Sequence, residues 1–250
     1  MILMSAVFFL IAAIYSSVGF GGGSSYIAVL ALLSYPYQSI PTLALFCNLI
    51  VVSSSAYHFY QGDHFSWRQF WPYAVTSIPM AFWGGQIHIS ETLFLSLLGL
   101  CLFLVALRLL IWNRLGTPSY EESFEPKIGV ALMLGATLGF LSGVVGIGGG
   151  IFLAPVLLYL RWGRPKQIAA TAAFFILLNS FAGLSGQLLK GDMNMDIFNF
   201  WPLFLSVFLG GQLGSRMGSS PRISQRAVKD ATAFLVLFVA FRILLVSARQ

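Results

Sequence analysis

Charge is scarce in this sequence. Eight acidic and fourteen basic residues stand among 250, so 9% of the chain is charged, against about 25% in an ordinary soluble domain. The acids lie in loops or at the ends of apolar runs. That argues against a buried carboxylate relay and against a carboxylate pair for acid–base work. Cysteine is limited to Cys47 and Cys101, both inside apolar runs, where ordinary packing suits them better than a disulfide or a metal site. Neither an HExxH nor a two-cysteine metal spacing occurs, so no metal, cofactor or catalytic residue is expected. Gly19-Phe20-Gly21 comes close to a dinucleotide fingerprint but fails it. Ser24 replaces the third glycine, and the preceding run is too long for a strand. The net charge of +6 would suggest nucleic acid in a soluble protein. Here it is read as loop charge of a membrane protein, and no nucleic-acid partner is expected.

Apolar sequence is abundant, at 58% of residues. Apolar runs fall near 2–18, 22–34, 41–60, 70–88 and 92–113, and again near 127–145, 150–160, 167–189, 198–216 and 227–247. Most approach the roughly 17–25 residues that span a bilayer as helix. The expected fold is an all-α polytopic membrane protein. The stretch from Met1 to Ile14 has neither a basic start nor a small-residue cleavage site, so it is expected to be the first membrane segment. A polar linker, 114–126, carries Glu121, Glu122 and Glu125 and separates a first unit, 1–113, from a second, 127–250.

The two units look like copies. In both, the short run is the second. Gly21-Gly22-Gly23 corresponds to Gly148-Gly149-Gly150, Gly62-Asp63 to Gly191-Asp192, Trp71-Pro72 to Trp201-Pro202, and Gly84-Gly85-Gln86 to Gly210-Gly211-Gln212. Chance hardly supplies four such pairs in one order.

Three glycines in a row break a helix, at about 1 kcal/mol each relative to alanine. If the chain turns back there, 2–34 and 127–160 are hairpins. Arg68, Arg108, Arg114, Lys127, Arg161, Arg164, Lys166, Arg216, Arg222, Arg226 and Lys229 then share one side, and Lys190, Arg242 and Arg249 the other. A continuous span at each glycine stretch would divide the cations about evenly. The biased count favours hairpins, with the larger set cytoplasmic and both termini periplasmic. An odd number of passes per unit makes the repeats inverted. Short helices of about 14–20 Å need not cross a core about 30 Å thick, so the two tips can meet near the midplane.

A helix N-terminus offers unpaired N–H groups and a positive dipole end, a natural place for an anion. The expected substrate contacts are therefore Gly21, Gly22, Gly23, Ser24 and Ser25 at one tip and Gly148, Gly149, Gly150 and Ile151 at the other. Close helix packing is the competing reading of such glycines. Thr171, Asn48 and Asn179 on the third runs, and Gln86 and Gln212 after the Gly-Gly pairs, are further candidates. Each amide either faces the pathway or bonds between helices. His58, beside Tyr57, is a candidate proton carrier, although a lone interfacial histidine is more often structural.

With these residues in view, the chain resembles the TauE/SafE family, the sulfite exporter-like permeases also called TSUP. The segments that carry the resemblance are GFGGGSSYIAVLALL and GVVGIGGGIFLAPVLLYL, the Ala-Thr-Ala segment before Asn179, and GGQLGS at 210–215. The first unit departs from the pattern. Ser24-Ser25-Tyr26 stands where the second has Ile151-Phe152-Leu153, and Pro155 has Ala28 as counterpart. The resemblance implies a secondary transporter of small sulfur-containing anions, such as sulfite, sulfoacetate or other organosulfonates, in a bacterial inner membrane. An anion channel, or a permease for a small non-sulfur carboxylate, is the alternative. The partners expected are the small anion, the lipid bilayer, a proton where transport is coupled, and a second copy of the chain where it dimerises.

Overall fold

The computed structural model describes residues 2–17, 19–33, 35–90, eight helical positions between 92 and 103, 127–160, 162–190, 197–219 and 241. The linker 114–126, nearly all of the last run and most of the fifth lie outside the described residues. The helices bounded within the described residues are α1 (Ile2–Ser16), α2 (Gly23–Leu32), α3 (Ile40–Gln61), α4 (Trp67–Gln86), α5 (Ile128–Val145), α6 (Gly150–Tyr159), α7 (Pro165–Lys190) and α8 (Trp201–Ser219), the last preceded by a 3-10 turn, Ile197–Phe200. No strand occurs among the described residues. By length and composition, Ile40–Gln61, Ile128–Val145 and Lys166–Lys190 can each cross a bilayer. The protein is an all-α, multi-pass membrane protein.

The glycines end the helices where the sequence reading placed the breaks. Gly146 closes α5 in the left-handed region at φ 82°, and Gly22 stands before α2 at the same φ. Gly19, Gly148 and Gly149 also have positive φ. A side chain there would be strained, so glycine is required for the chain to turn. Both α2 and α6 have ten residues, or about 15 Å at 1.5 Å per residue. They cover about half the hydrocarbon core.

Helix pairing follows small residues. Gly135, Gly139 and Gly143 of α5 lie on Tyr73, Ser77 and Ala81 of α4. Gly210 and Gly214 of α8 lie on Phe9 and Ala13 of α1. Rising numbers meet rising numbers in both pairs, so both are parallel, and the missing side chains let the backbones touch. The same holds for α4 on α7 and for α3 on α8, where Phe46 meets Phe204 and Val51 meets Gly211. The two long helices α3 and α7 run antiparallel. Leu45 lies near Gly183, and Tyr60 near Phe174. Exchanging α1, α2, α3 and α4 with α5, α6, α7 and α8 maps α4–α5 onto α8–α1, α4–α7 onto α8–α3, and α3–α7 onto itself.

Direction also sorts the charge. The α3–α4 connection and the starts of α4, α5 and α7 lie at one end of the bundle, toward which α8 also runs. Of the six described Lys and Arg residues, Arg68, Lys127, Arg164, Lys166 and Arg216 lie toward that end. Lys190 lies at the other, where its Nζ donates to the carbonyl of Ile87 at 3.1 Å.

Candidate functional site

Both glycine turns fold alike. The N–H groups of Ser25 and Tyr26 donate to the Gly22 carbonyl, and those of Phe152 and Leu153 to the Gly149 carbonyl. The amides of Gly21, Gly22, Gly23 and Ser24 have no acceptor among the described residues, nor have those of Gly148, Gly149 and Ile151. Gly150 differs, because its N–H turns back to the Gly148 carbonyl at 3.0 Å. These are the orphan donors that any helix start leaves. Here they are buried, because every residue in 21–25 and 148–151 is either fully buried or nearly so.

The turns meet at Asn48. This side chain, near the midpoint of α3, donates from Nδ2 to the Ile147 carbonyl at 3.0 Å. Its amide also lies where side chains on Gly21 and Gly23 would have to go, and 3.0 Å from a Cβ built on Gly148. A Cβ on Gly23 would come 2.9 Å from the Ile147 carbonyl oxygen, so the first turn touches the second. Each turn also rests on the long helix of the other unit. Gly19 backs onto the Ala169 carbonyl of α7, and Gly146 onto Pro41 of α3, each with a built Cβ at 2.6 Å.

Around this point lie buried polar atoms that no described group pairs. They include Ser24 Oγ, Tyr26 Oη, Asn48 Oδ1, Ser142 Oγ and Ser180 Oγ. Ser180 Oγ is 2.9 Å from the Gly148 Cβ position, Ser142 Cβ is 3.3 Å from that of Gly149, and Tyr26 Oη is 3.1 Å from that of Gly22. Ser25 is satisfied by Tyr15, with 2.7 Å between the hydroxyl oxygens. An unpaired buried polar group costs about 1–3 kcal/mol, so these atoms are ready to accept a polar partner, a water molecule included.

The other sequence candidates are distributed differently. Asn179 is buried at the middle of α7 and donates to its own helix, at Phe175 O, 2.7 Å away, leaving Oδ1 unpaired. Thr171 is buried on α7 between Ala169, behind Gly19, and Ala172, whose carbonyl lies 2.7 Å from a Gly150 Cβ. Gln212 is half-buried on α8, one residue from Gly211, which lies on Val51. Gln86 is exposed at the last residue of α4, outside the buried group. Its glycine neighbours admit backbone instead: Gly84 meets the Phe140 carbonyl and Gly85 the Gly183 carbonyl. The sequence reading did not single out Tyr15, Tyr26 or Ser142. Tyr15 and Ser142 occupy equivalent places, four residues before Gly19 and Gly146, and that spacing was the available signal.

A family model described as sulfite exporter TauE/SafE matches residues 4–243. The chain belongs to the TauE/SafE family. A relative in Sinorhizobium fredii, a probable membrane transporter protein, is 35% identical over 218 residues, or 86% of this chain and 87% of its own. A probable membrane transporter protein of Methanocaldococcus jannaschii is 25% identical over 197 residues, 74% of this chain and 72% of that one. A third, in Bacillus subtilis, is 31% identical over 101 residues, or 40% of this chain and 34% of its own. No solved structure matches. TauE/SafE membership and these relatives make the chain a membrane transporter of this family, and they indicate transport rather than enzymatic chemistry.

Proposed function

We propose that the paired glycine turns bind a small oxyanion, a sulfonate or sulfite-like species, which the protein carries across the bacterial inner membrane. The observation that carries this reading is the meeting of two buried helix starts at Asn48, with unpaired backbone N–H groups on both sides. Helix N-termini favour negative charge, and at mid-membrane depth backbone amides hold an anion without a buried cation. The unpaired hydroxyls of Ser24, Ser142 and Ser180 add neutral donors. The choice of a sulfur oxyanion rests on the description of the family, sulfite exporter TauE/SafE.

The same reading takes the two units as oppositely inserted repeats. The antiparallel run of α3 against α7 and the matching of helix pairings support it. The gathering of Arg68, Lys127, Arg164, Lys166 and Arg216 toward one end favours that end as cytoplasmic, with periplasmic termini. With the turns fully buried, the described conformation is closed on both sides. Transport then requires one set of helices to move against the other and expose the turns alternately.

The test is uptake of labelled sulfite, thiosulfate, sulfoacetate and a carboxylate of similar size into proteoliposomes, with and without a pH gradient. Saturable uptake of the sulfur oxyanions, lost in Gly149→Val, is the expected result. Single-channel conductance in planar bilayers would replace the carrier reading with a channel.

A further inference from the structure

At the cation-rich end of the bundle, away from the glycine turns, a cavity of about 180 Å³ opens between the first turns of α4 and α5 and the α6–α7 connection. Arg68, Gln69, Trp71, Tyr73, Ile128 and Trp162 line it. Arg68 is exposed and makes no hydrogen bond or ion pair with a described residue. Tyr73 is buried, and its hydroxyl has no partner among the described residues. The cavity therefore combines a free guanidinium, an unpaired phenol and two indole rings, with no carboxylate among the residues that line it.

Its position matters as much as its chemistry. Trp67 and Trp71 are 57% and 46% exposed at the start of α4, where aromatic side chains mark a membrane–water boundary. Beyond them, exposed Val75 and Ile78 on α4 and Val130 and Met133 on α5 continue an apolar surface along the same two helices. Charge is wanted at the cavity and hydrocarbon below it.

We propose that this cavity seats the phosphate of an anionic phospholipid, paired with the Arg68 guanidinium and accepting a hydrogen bond from Tyr73, while its acyl chains lie along α4 and α5. Arginine forks onto phosphate oxygens in two parallel bonds. A zwitterionic lipid would bring a second cation beside Arg68, with no acid in the lining to balance it, so an anionic headgroup fits better. Binding at this spot clamps α4 to α5 and does not depend on what the glycine turns carry.

The experiment follows thermal unfolding of the full-length protein in detergent, titrated with phosphatidylglycerol, phosphatidylcholine or inorganic phosphate. Phosphatidylglycerol should raise the melting temperature by about 5 °C at saturation, and the other two should leave it unchanged. Arg68→Gln, a change at an exposed position, should remove most of that rise. Tyr73→Phe, which keeps the ring, should remove part of it. A full rise retained in Arg68→Gln, or an equal rise with phosphatidylcholine, overturns the proposal. An equal rise with inorganic phosphate alone would assign a free-anion site instead. Neutralising Glu121, Glu122 and Glu125 to glutamine is the remaining arm. If that lowers the lipid-free melting temperature and Arg68→Gln adds nothing further, the chain's own acidic linker fills the cavity, and the lipid proposal fails.

Discussion

Asn48 Nδ2 and the carbonyl oxygen of Ile147 stand 3.0 Å apart, joining the middle of α3 to a glycine turn 99 residues further along the chain. Replacing Asn48 with leucine keeps the branch at Cγ, enlarges the side chain and removes the donor. The Ile147 carbonyl is then left without that bond, at a cost of about 1–3 kcal/mol. We expect a lower melting temperature and at least a tenfold loss of uptake. Asn179→Leu should cost less stability, because the lost N–H bond lies within one helix. Equal costs for the two variants would remove the special place given to the Asn48 bridge.

The glycines divide by geometry. Gly149 has φ 76°, and a built Cβ lies 2.8 Å from Phe175. Gly149→Val puts a β-branched side chain at a positive φ, so it should lower the unfolding midpoint as well as abolish transport. A Cβ at Gly129, in the first turn of α5, meets nothing within 4 Å. Gly129→Ala should therefore raise stability by about 0.5–1 kcal/mol and leave transport unchanged. Unfolding midpoints and proteoliposome uptake on both variants check the pair.

Two glutamines offer a second contrast. Gln187 is buried and donates from Nε2 to the Gly143 carbonyl at 3.2 Å, tying α7 to α5. Its counterpart in the first unit is Ser55, whose Oγ donates to the Ser16 carbonyl at 3.4 Å. Gln187→Leu should destabilise by about 1–3 kcal/mol. Gln86→Ala, at an exposed helix end, should change stability by less than about 0.5 kcal/mol and uptake by less than about twofold. A large transport defect in Gln86→Ala would bring that side chain back to the pathway.

His64, in the α3–α4 connection, has its pKa lowered from the ordinary 6.5, chiefly by burial and next by the Lys166 ammonium, with Asp63 opposing. Its protonated form is thus disfavoured in the folded state relative to the unfolded one. The stability this contributes is complete above pH 6.5 and is lost as pH falls toward the lowered folded value. His64→Gln should flatten the decline of melting temperature below that pH. Lys166→Gln should move the His64 titration, followed by NMR, upward. A downward movement would contradict the assigned cause.

The helix breaks were legible because they are local. Runs of glycine with short apolar stretches behind them turn the chain whatever surrounds them, and the structure starts α2 at Gly23 and α6 at Gly150. The amide roles were less legible. Gly84-Gly85-Gln86 and Gly210-Gly211-Gln212 repeat as a motif, and the sequence leaves each amide either facing the pathway or bonding between helices. In the fold, the glycines of these motifs admit a neighbouring backbone, and Gln86 is left exposed.

Composition and periodicity alone determined that this chain is a bundle of membrane helices, because scarce charge and long apolar runs leave lipid as the only compatible solvent. Glycine spacing alone determined where the helices break, because left-handed backbone is a property of single residues. Only the tertiary structure decided that Asn48 sits between the two turns, that Asn179 bonds within its own helix and that Gln187 ties α7 to α5. Those outcomes depend on the rotation and register of packed helices. Contacts between distant residues set these, and the order of residues along one helix does not contain them.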